Sequence, residues 1–248
     1  MSEKNILITG ASSGIGNAVA NELIKTSTNN LILVARNLEK LNASLHGISS
    51  ANTDKYQSVI ADLTDDAQLK KVAEAVVEPL DGMVLAAGEL KYKPAGMINR
   101  ASLSEMFNIN FFAPVLLVQS LLKVKKIRKG GSIVFVSSVS ANVGVPATLE
   151  YASSKAAIES CVRVLAAELA IKTIKVNSVC PGLVKTPMLE KASRDISIDI
   201  AASNSANYPL GIGEPIDIAE LILFLISGKN NWITGQNIVI DGGYTLNR

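Results

Sequence analysis

Aromatic residues make up only 4% of the 248-residue chain, cysteine occurs twice and histidine once. Each scarcity narrows the chemistry. The one histidine, His46, stands before Gly47 at the end of a helical stretch, where it reads as an exposed surface residue. A Ser-His-Asp hydrolase or a histidine-based metal site would need it in a pocket. Cys161 and Cys180 show no metal-ligand spacing, so no metal site and no disulfide framework is expected. Both lie in apolar stretches and read as reduced, buried thiols of a cytoplasmic protein. Net charge is only +2, which gives no electrostatic case for nucleic acid or an acidic partner. The one basic cluster (Lys123, Lys125, Lys126, Arg128, Lys129) reads as a solvated helix C-terminus, where cations meet the negative end of the helix dipole. A strand starts by residue 5 with no signal peptide before it, and no apolar run reaches the length needed to cross a membrane. There is no Pro/Gly/Ser-rich linker and no shift in composition. Residues 1–248 therefore read as a single domain with an aliphatic, alanine-rich core, in a chain 48% hydrophobic overall.

The apolar pattern alternates short β-branched runs with helical stretches. Strands are expected at residues 5–9, 31–35, 55–61, 82–88, 131–138, 175–180 and 236–240. Helices are expected at 15–25, 37–46, 65–77, 101–124 in two pieces, 151–170 and 216–227. Proline at 114 should kink the 101–124 stretch, since it lacks a backbone donor. Strand–helix alternation at this spacing predicts an α/β fold: a parallel sheet with helices on both faces. Residues 187–214 have weak periodicity and read as a long flap over the substrate side.

Residues 5–25 form a strand, a glycine turn and a helix. Glycines allow close backbone approach to a pyrophosphate, and the helix N-terminus supplies donors and partial positive charge. This makes Gly10, Ser12, Ser13, Gly14, Ile15 and Gly16 a candidate dinucleotide cradle. An acidic residue about 20 positions after the glycines would bind a ribose 2′-hydroxyl. Here that place holds Ala35, followed by Arg36. A guanidinium matches a phosphate bidentately, so NADP(H) is favoured over NAD(H). The alternative for Arg36 is a cap on the sheet edge.

Tyr151 and Lys155 are four apart and share one helix face. An ammonium beside a phenol should draw its pKa down from about 10. Such a group can give a proton to a carbonyl oxygen or take one from an alcohol. Ser137 and Ser138 end the preceding strand, at the sheet edge where ligands bind in open α/β folds.

Thr9-Gly10-Ala11-Ser12-Ser13-Gly14-Ile15-Gly16, Asn110, Ser138, Tyr151-x-x-x-Lys155, Pro181-Gly182 and Asp241-Gly242-Gly243 together resemble the short-chain dehydrogenase/reductase family. The resemblance implies a doubly wound, Rossmann-like parallel sheet of about seven strands. It implies hydride exchange between a nicotinamide and a small-molecule carbonyl or alcohol. Tyr151 would be the proton donor, Lys155 would tune it and hold the nicotinamide ribose, and Ser138 would hold the carbonyl oxygen. Asn110 would hold a water linking the lysine to solvent. Asp62 and Leu63 would lie beside the adenine, with a helix cap before Thr64 as the other reading of Asp62. Ala87 and Gly88 would line the cleft, and Pro181, Gly182, Val184 and Thr186 would meet the nicotinamide. The family's usual Asn-Asn-Ala-Gly is Leu85-Ala86-Ala87-Gly88 here, so an asparagine that ties neighbouring strands is missing. The 151–170 helix, apolar nearly all round, implies a homo-oligomer, dimer or tetramer. A 3-oxoacyl-[acyl-carrier-protein] reductase and a non-catalytic dinucleotide-binding scaffold or sensor are the alternatives.

Overall fold

The computed structural model describes residues 3–26, 29–45 and 56–247. The expected surface position of His46 and the expected strand start at residue 55 lie outside the described residues. Seven parallel strands form one sheet in the order β3-β2-β1-β4-β5-β6-β7. They are β1 (Asn5–Thr9), β2 (Asn30–Ala35), β3 (Tyr56–Ile60), β4 (Leu80–Leu85), β5 (Ile127–Val136), β6 (Lys175–Pro181) and β7 (Asn237–Ile240). The chain runs outward from β1 to β3, then returns to lay β4 on the other side of β1. The loops after β1 and β4 therefore diverge and leave a crevice at the strands' C-terminal ends.

Strand alternation sorts the core into two layers. Leu7, Met83, Leu85, Ile133 and Phe135 face helices α3 (Asp66–Ala75), α5 (Ala113–Lys123) and α6 (Leu149–Leu169). Ile6, Ile8, Leu31, Leu33, Val84 and Val134 face α1 (Gly14–Thr26), α2 (Leu38–Ser44) and α9 (Pro215–Ile226). Both faces are covered, which is why the strands read as continuous apolar runs.

Two expectations need correction. The stretch 101–124 comes in two α-helical pieces as expected, but what joins them is a π-helical segment ahead of Pro114. Helix α4 (Arg100–Phe107) passes through a π-helical segment, Asn108–Phe112, directly into α5. The Ala113 N–H bonds to the Asn108 carbonyl. Pro114 follows directly after the π-helical segment, in the first turn of α5. As one piece, Arg100–Lys123 is 24 residues with a mean hydropathy of 1.4 over its most apolar window, long and apolar enough to cross a membrane by length and composition. Its Leu117, Val118 and Leu121 nevertheless pack in the core beside β4 and β5, as in a core helix. The flap at 187–214 is not a bare loop either. It holds α7 (Pro187–Asp195) and α8 (Ile200–Asn204), which bury Leu189, Ala192 and Ile200 against Leu90, Tyr92 and Leu183.

Helix α1 sits close over β1 because residue 16 has no side chain. A Cβ there would lie 2.6 Å from the Gly10 carbonyl oxygen and 2.9 Å from that of Thr9. Backbone atoms cannot swing aside, so Gly16→Ala is expected to lower stability by about 1–3 kcal/mol. Urea unfolding measures it, with Gly144→Ala, where nothing lies within 4 Å, as the near-neutral control. Equal midpoints for the two variants would contradict this account.

Candidate active site

A cavity of about 380 Å³ opens at the C-terminal ends of the strands and runs from the Gly10 turn to the far end of β6. Its wall at β1 is the Gly10–Gly14 turn. Gly10 and Gly14 have φ values of +68° and +57°, a region that penalises any Cβ. A Cβ on Gly10 would also lie 2.9 Å from the Ala87 nitrogen. Asn17 fastens the turn by donating to the Ala11 carbonyl at 3.0 Å. Helix α1 then starts at Gly14 with no acidic residue in its first turn, so its positive end faces the cavity unopposed. Ser12, Ser13 and Ile15 line the same wall. Gly16 does not; its place is against β1.

At the end of β2, Arg36 lines the cavity and pairs with Glu89, Nη1 to Oε1 at 3.2 Å. Two residues that sequence reasoning missed stand beside it. Asn37 caps α2 by accepting from the Lys40 N–H at 2.7 Å, and Asn37 and Lys40 both line the cavity. The signal was in the cap itself, which sets a second cation one turn after Arg36. Leu63 lines the cavity and Asp62 does not. The Asp62 carboxylate accepts from the Thr64 N–H (2.9 Å) and hydroxyl (2.8 Å), and these bonds hold its pKa below the usual value. Nor does Asp62 cap a helix: Asp65 caps α3, accepting from Ala67 and Gln68.

The exit of β4 lacks the asparagine tie, and Thr9 supplies another. Its buried hydroxyl accepts from the Ala87 N–H at 3.1 Å, joining β1 to the β4 turn. Ala87 and Gly88 line the cavity. A Cβ on Gly88 would meet Asn110 Oδ1 at 2.8 Å and Lys155 Nζ at 3.5 Å. Asn110 itself is buried and does not line the cavity. It accepts from the Glu89 N–H (2.9 Å) and donates to the Glu89 carbonyl (2.9 Å) and to Ser154 Oγ (3.2 Å). The π-helical segment thus clamps the β4 exit turn through this amide.

Ser138, Tyr151 and Lys155 meet in the cavity wall. Ser138 follows β5 and caps a short turn, Val139–Ala141, accepting from the Ser140 N–H at 3.2 Å. Ser137 turns its hydroxyl the other way, toward Glu159 at 3.0 Å. Helix α6 brings Tyr151 and Lys155 up one turn apart, with Lys155 Nζ 5.7 Å from the tyrosine ring centre. Lys155 donates to the Val136 carbonyl at 2.8 Å.

The expected acidic phenol is not what this pocket makes. Burial pushes Tyr151 up to about 12, with a Ser138 hydrogen bond pulling it partly back. Tyr151 is half-buried and lines the cavity. Burial also pulls Lys155 down to about 8. Desolvation penalises both charged forms here, and Cys180 offsets only part of it at Lys155.

The end of β6 forms the far wall, where Pro181, Gly182, Val184 and Thr186 all line the cavity. Thr186 caps α7 and faces the glycine turn closely: a Cβ on Gly14 would lie 3.2 Å from its methyl. Beyond Tyr151 the cavity is apolar and aromatic, with Leu90, Tyr92, Leu189, Ile200, Tyr208 and Tyr244. Leu189, Ile200 and Tyr208 come from the 187–214 flap expected on the substrate side, though not named singly; Leu90, Tyr92 and Tyr244 were not identified from sequence. Tyr208 and Tyr244 stack with ring centres 4.7 Å apart. Among the described residues no acidic or histidine cluster could hold a metal ion.

Because the folded Lys155 value lies below the unfolded 10.5, the folded state binds fewer protons between about pH 8 and 10.5. Stability from this group therefore rises as pH rises through that window. Lys155→Met is expected to flatten the rise, read by urea unfolding at pH 7.5, 9 and 10 (about one point per half-window). An unchanged slope would rule out the lowered lysine.

A family model described as enoyl-(acyl carrier protein) reductase matches residues 10–245. The chain is 32% identical over 245 residues to the uncharacterized oxidoreductase YmfI of Bacillus subtilis, covering 97% of this chain and 98% of that protein. It is 33% identical over 251 residues to the 3-oxoacyl-[acyl-carrier-protein] reductase FabG of Thermotoga maritima, covering 98% of each. Among solved structures, a short chain dehydrogenase family protein from Francisella tularensis superposes with a TM-score of 0.87 at 30% identity, covering 99% of this chain and 100% of that one. ElxO with NADP bound gives a TM-score of 0.85 at 31% identity, covering 98% and 99%. With the motifs in one cavity and likeness along nearly its whole length, the chain belongs to the short-chain dehydrogenase/reductase family.

Proposed function

We propose that the protein is an NADPH-dependent reductase that converts a small-molecule carbonyl to an alcohol. The observation that carries this reading is that one cavity is lined at one end by the glycine turn and at the other by Ser138, Tyr151 and Lys155. The cofactor's fit rests on the cradle: Gly10, whose Cβ would collide with the Ala87 backbone, Gly14 at positive φ, and a helix N-terminus free of acidic residues. Gly10, Ser12, Ser13, Gly14 and Ile15 would hold its pyrophosphate. Arg36, with Lys40 beside it, would take the 2′-phosphate. Leu63, Ala87 and Gly88 would flank the adenosine, and Lys155, Pro181, Gly182, Val184 and Thr186 the nicotinamide half. When bound, the nicotinamide supplies the hydride.

The chain's own residues handle the proton and the oxygen. Ser138 donates a hydrogen bond to the carbonyl oxygen and fixes its position. Tyr151, kept as a neutral phenol by burial, gives its proton to the oxygen as negative charge develops there. The protonated phenol is the form that donates in the reduction direction. Lys155 bonds the Val136 carbonyl and lies against the tyrosine, so its charge is available to stabilise the phenolate after transfer. The aromatic end beyond Tyr151 suits a carbonyl with an apolar body.

A 3-oxoacyl thioester on a carrier protein is the second reading. The two 3-oxoacyl-[acyl-carrier-protein] reductase relatives favour it. So does Lys91, which pairs with Glu89 and Glu105, with Lys93 and Lys191 close enough to act on Glu105. A silent nucleotide-binding scaffold is disfavoured by the complete Ser138–Tyr151–Lys155 set. The reading includes a cytoplasmic setting and a homo-oligomer formed through the α5–α6 face, where Phe112, Leu116 and Val164 are exposed.

Tyr151→Phe is expected to lower kcat by about 10²–10⁴-fold while NADPH affinity changes by less than about threefold, the size ascribed to one general acid. Turnover is followed by absorbance of the reduced nicotinamide across a panel of ketones, 3-oxoacyl thioesters and alcohols. Intact turnover in this variant would refute the assignment. For the cofactor, kcat/KM with NADPH is expected to exceed that with NADH by at least about tenfold, and Arg36→Ala should erase most of the gap. Equal values in the unaltered protein would remove the role of Arg36.

A further inference from the structure

One buried charged group has no part in the proposed chemistry. Glu159 lies on α6, one turn after Lys155, and is only 5% exposed. A carboxylate in that position needs donors, and three converge on it. Ser137 Oγ donates to Oε1 at 3.0 Å and Cys180 Sγ to the same oxygen at 3.2 Å. Asn142 Nδ2 donates to Oε2 at 2.9 Å. The donors come from three different places. Ser137 is the residue before Ser138. Asn142 follows the 139–141 turn that Ser138 caps. Cys180 is fully buried in β6, the next strand of the sheet. The carboxylate therefore grips the chain on both sides of Ser138 and fastens it to α6 and to the sheet interior. Its negative charge and its bond also raise the Cys180 thiol, after burial, to about 12, so this donor keeps its proton.

We propose that Glu159 is the positioning residue for Ser138: it holds residues 137 and 142 so that the Ser138 hydroxyl points at Tyr151 and at the carbonyl oxygen. The proposal rests on the reductase reading for its consequence, but the geometry it asserts can be tested without turnover. Ser138 and Tyr151 share the cavity wall, and Ser138 lowers the phenol's pKa, so the tyrosine ring reports where the serine is. The variants separate a grip from mere filling of space. In Glu159→Gln, the new NH2 would face the Asn142 amide, and a flip of Asn142 restores an acceptor there. In Glu159→Leu no such repair exists, and Asn142 and Cys180 lose their acceptor.

The probe is protein carrying ¹³Cζ-tyrosine, with the Tyr151 signal assigned by its loss in Tyr151→Phe. Ser138→Ala is expected to move that signal. Glu159→Leu should reproduce most of the movement, Glu159→Gln should leave it near the wild-type position, and Ser138→Ala/Glu159→Leu should match Ser138→Ala alone. On the panel substrates, Glu159→Leu should lower kcat about tenfold or more, as a misplaced group does, with less than about threefold change in NADPH affinity. Asn142→Ala, at an exposed site that tolerates truncation, should give a smaller movement of the same sign even where Glu159→Leu does not fold. An unmoved Tyr151 signal in both Glu159→Leu and Asn142→Ala would overturn the proposal. So would a movement in the double variant equal to the sum of the two single ones. Retained turnover in Tyr151→Phe would instead strike the reductase reading and leave the signal test standing.

Discussion

Lys155 is held in a nearly water-free pocket by one backbone carbonyl, that of Val136, at 2.8 Å. Much of the site is arranged to make that pocket possible. Gly88 must lack a side chain, because a Cβ would come within 3.5 Å of the ammonium and 2.8 Å of Asn110. Asn110 must be where it is to pin the Gly88–Glu89 backbone, and the π-helical segment places it there without disturbing the helices on either side. Such segments insert a residue into a helix and re-aim one side chain. The enclosure decides the electrostatics. In a solvated setting the ammonium beside Tyr151 would draw the phenol's pKa down. Removed from water, the same pair favours phenol and a lysine that releases its proton more readily.

What could be seen in advance follows from how local each cause is. A strand ending in two serines, a glycine turn before a helix and a Tyr-x-x-x-Lys face are short-range patterns. The strands, their parallel order and the meeting of Ser138, Tyr151 and Lys155 were legible for that reason. Asp62 and Gly16 belong to the same motifs, yet they serve the scaffold: one closes a turn on Thr64, the other lets α1 touch β1. A motif states that a position is constrained and leaves open which neighbour constrains it. The helical flap was half-legible, since Thr186-Pro187 is a cap followed by a proline in the first turn. Tyr92 and Tyr244 were not legible, and Tyr208 only as part of the flap. They reach the cavity from three segments far apart in sequence, and only the finished fold brings them together. The direction of the Tyr151 shift was misjudged for a related reason: charge adjacency is written in spacing, whereas burial is a property of the finished fold.

The turn after β4 is held without the asparagine pair that the family resemblance led one to expect there. What the turn after β4 needs is a partner for a buried N–H, and any acceptor at the right place will serve. Thr9 ends β1 beside that turn and accepts from Ala87. With the tie coming from β1, the glycine turn and the β4 exit are fastened directly to each other, on opposite sides of the crevice that the strand order opens.

The two ends of the cavity are also mechanically joined at Tyr208. Its hydroxyl accepts from the Leu183 N–H at 2.9 Å, and its ring would stand 2.8 Å from a Cβ on Gly182. Gly182 and Leu183 form the turn that leaves β6, on the proposed nicotinamide side. Tyr208 also stacks on Tyr244 in the apolar end, where a substrate's body would lie. A bulkier or smaller residue at 208 would therefore shift the β6 turn as well as the apolar wall. On the proposed reading, substrate choice and nicotinamide placement would be coupled through this one ring, which touches both the β6 turn and the apolar wall.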